Sequence, residues 1–135
     1  TMGAAATIVA GNTPNSFCNT GTYGILSQFG AMIQLLYSYV CGSNIGFGAA
    51  YGGILWVQGS YGVGATIGFN AGYHAIVHAA SGGATKCITG FNAGYNSYII
   101  AASTQTNTNS KGNTTDYSPA SSDTEGNVSA IITRS

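Results

Sequence analysis

Charge is what this chain has least of. Three Lys or Arg and three Asp or Glu are spread through 135 residues, and the first of them is Lys86, so 85 consecutive residues carry none. The cations Lys86, Lys111 and Arg134 are scattered and the net charge is zero. No basic patch exists to neutralise a phosphate backbone, which argues against nucleic acid as a partner. The acids Asp116, Asp123 and Glu125 all fall late in the chain. The residues before them can therefore supply no carboxylate pair for acid–base chemistry. Nothing resembles a nucleophile elbow, so the expectation is no enzyme and no cofactor.

Metal-finger and redox spacings are missing too. Cys18, Cys41 and Cys87 contain no Cys-x-x-Cys pair. A Cys18–Cys41 disulfide would close a loop of moderate size and leave Cys87 free or pairing between subunits. His74 and His78 are four apart and make weak candidates for zinc or copper, with Cys87 as a conceivable third ligand. The repeat described below places Asn96 and Ile100 at the same positions, so it does not demand histidine. Long apolar runs are also lacking. Residues 23–40 come nearest to a membrane span, but Gln28 and Gln34 interrupt them, and blocks such as 45–57 fall short of the ~20 residues needed.

What fills the chain is small and aromatic: 21 Gly, 9 Tyr, 5 Phe and a 44% hydrophobic fraction. Ile45-Gly-Phe-Gly-Ala-Ala-Tyr51, Ile67-Gly-Phe-Asn-Ala-Gly-Tyr73 and Thr89-Gly-Phe-Asn-Ala-Gly-Tyr95 recur every 22 residues. Tyr23-Gly-Ile begins a weaker copy. The period predicts stacked supersecondary units: four repeats over 23–104, between an N-terminal arm at 1–22 and a Ser/Thr/Asn-rich segment at 105–135 that ends in a short strand.

Within a repeat, Ile67, Phe69, Ala71, Tyr73, Ala75 and Val77 alternate with small or polar residues, Ile76 excepted. This is the period of a strand with a bulky face and a thin face. The predicted fold is mainly β: a repeat-built sheet, small sandwich or solenoid-like subunit with Gly-rich turns at Cys41–Asn44, Gly59–Gly64 and Ser81–Ala84. Leu26, Phe29, Met32, Ile33, Leu36 and Val40 fit a 3.6-residue period instead and predict a helix over 25–40. Gly68 and Gly72, four apart, keep a small-residue-packed helical bundle as the alternative.

These features point to a structural subunit that assembles with copies of itself into an extracellular or cell-surface filament, fibre or layer. Phe47, Tyr51, Phe69, Tyr73, Phe91 and Tyr95 are the expected subunit-packing residues. Asn113-Thr-Thr115 and Asn127-Val-Ser129 match the glycosylation acceptor pattern, so covalent glycans on Asn113 and Asn127 would add solubility. A membrane-embedded bundle or pore is the second reading. A small glycan- or ice-binding module is the third.

Overall fold

The computed structural model describes residues 7–10, 15–101, 113–118 and 131–133. Every regular element among them is a β-strand. Two short strands, β1 (Thr7–Ala10) and β2 (Asn15–Cys18), lead into three full coils. The first holds β3 (Tyr23–Gln28), β4 (Met32–Leu36) and β5 (Ser38–Cys41). The second holds β6 (Ile45–Ala50), β7 (Ile54–Gln58) and β8 (Tyr61–Val63). The third holds β9 (Ile67–Gly72), β10 (Ile76–His78) and β11 (Gly83–Thr85). A fourth begins with β12 (Thr89–Ala93) and β13 (Tyr98–Ile100), and β14 (Thr115–Ser118) and β15 (Ile131–Thr133) follow.

Among the described residues no strand pairs with its neighbour in the chain. Each pairs, in parallel, with its counterpart one coil away. Three sheets result: face A in the order β3-β6-β9-β12-β14, face B in the order β1-β4-β7-β10-β13-β15, and face C in the order β2-β5-β8-β11. The chain is a β-solenoid of about four turns. One 22-residue repeat is one coil, as Ile45↔Ile67↔Thr89 and Ile54↔Ile76↔Tyr98 show.

The period of two places the core. Phe47, Phe69 and Phe91 point inward from face A, Leu55, Val77 and Ile99 from face B, and Val40 and Ala84 from face C; all are fully buried. Because the register repeats, like side chains sit on like. The phenylalanine rings stack with centroids 5.0 and 4.9 Å apart. The glycine before each phenylalanine is the thin position that the alternation predicts. A Cβ on Gly68 would lie 2.6 Å from the Ala84 Cβ across the interior. The close approach that these glycines permit is therefore between two faces of one molecule.

Three corners join the faces, and each is a column of left-handed backbone. At the A–B corner the aromatics Phe29, Tyr51, Tyr73 and Tyr95 have φ of 50–56°, followed by Gly30, Gly52, His74 and Asn96, which are also positive. Tyr37, Gly59 and Ser81 turn the B–C corner, and Gly42, Gly64 and Lys86 the C–A corner. Gly, Asn and His tolerate this region better than most residues, which accounts for their alternation in these columns.

The helix expected over 25–40 does not form. Left-handed residues at Phe29 and Tyr37 cut the segment into β3, β4 and β5. Its apolar residues divide among faces: Ile33, Leu35 and Val40 go inside, while Phe29 and Met32 go outside. The helical-bundle alternative falls with it, since in-register stacking satisfies the backbone of a glycine-rich chain that a helix would leave entropically costly. Two glycine-rich segments expected to be turns, 59–64 and 81–84, hold the three-residue strand β8 and the first two residues of β11.

The ladder also reaches past 23–104. β1 pairs with β4 at an offset of 25 and β2 with β5 at 23. β14 pairs with β12 at 26 and β15 with β13 at 33. Coils at both ends thus carry insertions that hide them from a search at 22. Part of the Ser/Thr/Asn-rich segment, residues 115–118, is also strand.

Candidate functional site

A strand that buries every second residue exposes the others, and the same register that stacks the core stacks the surface. At the A–B corner, Phe29, Tyr51, Tyr73 and Tyr95 form one outward column, with successive centroids 5.2, 4.8 and 4.4 Å apart and ring planes within 12°. They are 43–53% exposed. Stacked this way, the rings cover one another's faces and show their edges to solvent. Beside them, face B carries two outer rows, Met32–Ile54–Ile76–Tyr98 and Gln34–Trp56–His78–Ile100. Met32, Trp56 and Ile76 are each more than a third exposed. Trp56 stacks on His78 at 4.4 Å. Face C carries a shorter pair, Tyr39 on Tyr61 at 5.4 Å.

Face A has a polar outer row. Asn92 Nδ2 donates to Asn70 Oδ1 at 2.7 Å, the side-chain counterpart of the backbone ladder. Beside it, Ala50 and Gly72 leave a shallow groove of about 140 Å³ bounded by Tyr51, Tyr73 and Tyr95. Tyr73 is held above the usual phenol range, first by the neighbouring Tyr95, then by partial burial and Tyr51.

The expected subunit-packing set divides in two. Tyr51, Tyr73 and Tyr95 are on the surface, but Phe47, Phe69 and Phe91 are fully buried inside the coils and cannot meet a second subunit. The odd-numbered alternation put both kinds of residue on one face. It breaks at the corner, where the positive φ swings each tyrosine outward.

The two histidines take different places on the coil. His74 is an exposed corner residue in the column of Gly30, Gly52 and Asn96. His78 lies on face B, and its buried Nδ1 has no hydrogen-bond partner among the described residues. Cys87 is inside the coil, and no group of three metal-ligating side chains occurs among the described residues.

Cys18 and Cys41 are disulfide-bonded across in-register positions of β2 and β5. Cys87 is a free, buried thiol. Its Sγ lies 3.6 Å from the Gly62 carbonyl and 3.5 Å from that of Thr85, and burial pushes the thiol up.

Asn113 has a structural task that the acceptor pattern did not reveal. Its Oδ1 accepts from the Cys87 amide at 2.8 Å and its Nδ2 donates to the Ala84 carbonyl at 3.0 Å. A glycan on Nδ2 would leave it a single hydrogen for that second bond. Asn127 lies outside the described residues.

These surfaces define a class: a parallel β-solenoid with uncharged outer rows and a disulfide between adjacent coils. No helix among the described residues is long and apolar enough to cross a membrane. Comparison with family models, curated proteins and solved structures finds no match for the chain.

Proposed function

We propose that this protein is a non-enzymatic structural subunit that associates laterally with copies of itself, through face B, in an extracellular or cell-surface assembly. The carrying observation is the outer surface of face B, where Met32, Trp56 and Ile76 stand exposed in straight in-register rows. Rows of this kind suit sheet-on-sheet packing, in which two faces about 10 Å apart interdigitate their side chains. Contiguous exposed apolar surface on a folded chain favours association. Lys86 sits at the C–A corner, opposite face B. The disulfide supports an oxidising location.

Sedimentation velocity across a wide concentration range tests this reading. The native chain should sediment as a concentration-dependent oligomer, and Trp56→Lys with Ile76→Lys should leave a monomer, each anchor contributing about 2 kcal/mol. Ile88→Lys is the control, because Ile88 is 58% exposed but lies next to the C–A corner. A native chain that is monomeric throughout, or an Ile88→Lys variant that dissociates equally well, overturns the proposal.

A further inference from the structure

We infer that the B–C corner holds a binding site for the pyranose rings of a neutral polysaccharide. A groove of about 440 Å³ runs there, lined by Tyr37, Tyr39, Gln58, Gly59, Tyr61 and Ser81. That volume is in the range of small-ligand sites, about 300–1,000 Å³.

What marks this groove is how short its ring columns are. In the A–B corner column the inner rings Tyr51 and Tyr73 are covered on both faces, and only the end rings Phe29 and Tyr95 have a single partner. In the B–C corner column only the first position carries a ring: Tyr37 is followed by Gly59 and Ser81. The Tyr37 ring lies along the coil over Gly59, where a Cβ would stand 2.6 Å from its Cδ1. The opposite wall is Tyr39 stacked on Tyr61 at 5.4 Å, and its column runs on to Gly83. Among the described residues, Tyr61 has no ring on its Gly83 side. Both walls therefore contain an aromatic ring without a second stacking partner in its column.

The rest of the lining selects the ligand. Gln58 and Ser81 are exposed and, with three phenol hydroxyls, offer donors and acceptors around the rings. None of the six lining residues is charged, so an anionic ligand finds no cation and a cationic one no carboxylate. Flat apolar C–H surface for the rings, hydroxyls for the rim and no formal charge together describe a neutral sugar. The position of Tyr61 directly above Gly83 lets one sugar ring take the place that a further tyrosine would occupy in the column.

The test is depletion of the native chain onto particles of cellulose, chitin, xylan and mannan, with heparin-bearing particles as the anionic comparison. Titration calorimetry then follows with the neutral oligosaccharide matching whichever polymer binds. At least one neutral polymer should deplete the chain while heparin does not. Tyr61→Ala should weaken binding roughly tenfold, as for loss of about 1.4 kcal/mol, and Tyr51→Ala on the other column should leave it unchanged. Gln58→Ala and Ser81→Gly keep the test decisive if Tyr61→Ala does not fold. Both positions are exposed and Ser81 already has φ of 56°, where glycine is at ease. Each should weaken binding several-fold. Depletion by heparin alone, by no neutral polymer, or an equal loss in Tyr51→Ala overturns the inference.

Discussion

Replacing Phe69 by alanine removes the middle ring of the buried stack. Phe69 is fully buried and lies between Phe47 at 5.0 Å and Phe91 at 4.9 Å. Phenylalanine-to-alanine changes in cores cost about 3–5 kcal/mol, set by lost transfer energy and the cavity left behind. Each stacked aromatic pair adds about 0.5–1.5 kcal/mol beyond area burial. With two such pairs lost, Phe69→Ala belongs at the upper end, about 5 kcal/mol. Phe47 has Phe69 on one side but Ile25 on the other, so Phe47→Ala should cost about 1 kcal/mol less, the worth of one ring pair. Tyr73 also stacks on two rings but is 43% exposed and leaves no cavity; Tyr73→Ala should cost about 1–2 kcal/mol. Guanidinium unfolding followed by far-ultraviolet circular dichroism, with the disulfide intact, orders the three variants. Coils in a solenoid touch only their neighbours, so loss of the central rung should also broaden the transition. If Phe69→Ala costs no more than Tyr73→Ala, the stacked rings are not the structural spine, and the reasoning fails.

Two further outcomes follow from backbone and titration. A Cβ on Gly53 would fall 2.4 Å from the Ser27 carbonyl oxygen, whereas one on Gly30 meets nothing within 4 Å. Gly53→Ala should therefore cost about 3 kcal/mol, the top of the overpacking range, and Gly30→Ala only the 1–2 kcal/mol of left-handed backbone; thermal melts showing equal losses would refute this. Tyr73 is raised by Tyr95 first and Cys87 by burial. For both, the folded value lies above the unfolded one. Their contribution is thus complete below the unfolded value and is lost as pH rises through the folded value, so stability should fall above about pH 9–10. In an ultraviolet phenolate titration, Tyr95→Phe should bring the Tyr73 transition to lower pH. Superimposed curves would remove Tyr95 as the cause.

The solenoid was legible where the period is strict. Gly-Phe-Asn-Ala-Gly-Tyr recurs because each residue stacks on its own copy, so the 22-residue spacing reads directly as one coil. The alternation around Phe69, Ala71 and Val77 was likewise a correct guide to the interior. Three things were hidden. The apparent helix period at 25–40 is an accident of two corners, Phe29 and Tyr37, falling eight residues apart among short strands. β8 and β11 lie in segments whose glycines look like turns, because face C approaches face A too closely for side chains at Gly62 and Gly68. The outward swing of Tyr51, Tyr73 and Tyr95 depends on backbone sign, which pattern alone does not carry. The signal available was the residue after each tyrosine: Gly, His and Asn share little except tolerance of the left-handed region.

The charge-free stretch has an intramolecular cause. In-register parallel strands place equivalent residues one strand spacing apart, about 4.8 Å. A charge inherited by every coil would then form a like-charged column, each step costing about 1 kcal/mol in bulk water and about 4 near a protein surface. Amides avoid this and gain a bond instead, as Asn92 does with Asn70. Lys86 shows the complementary rule: its column is otherwise Gly42 and Gly64, so it meets no like charge. Neutrality of the repeats therefore follows from stacking and is not by itself evidence of a partner. Stacking does not, however, forbid a single charge per column, nor does it require Met32, Trp56 and Ile76 to be apolar where they stand exposed. Polar residues such as Gln34 occupy the same face without difficulty. The proposed self-association accordingly depends on the apolar identity of those exposed positions, and lysine substitution there should abolish it.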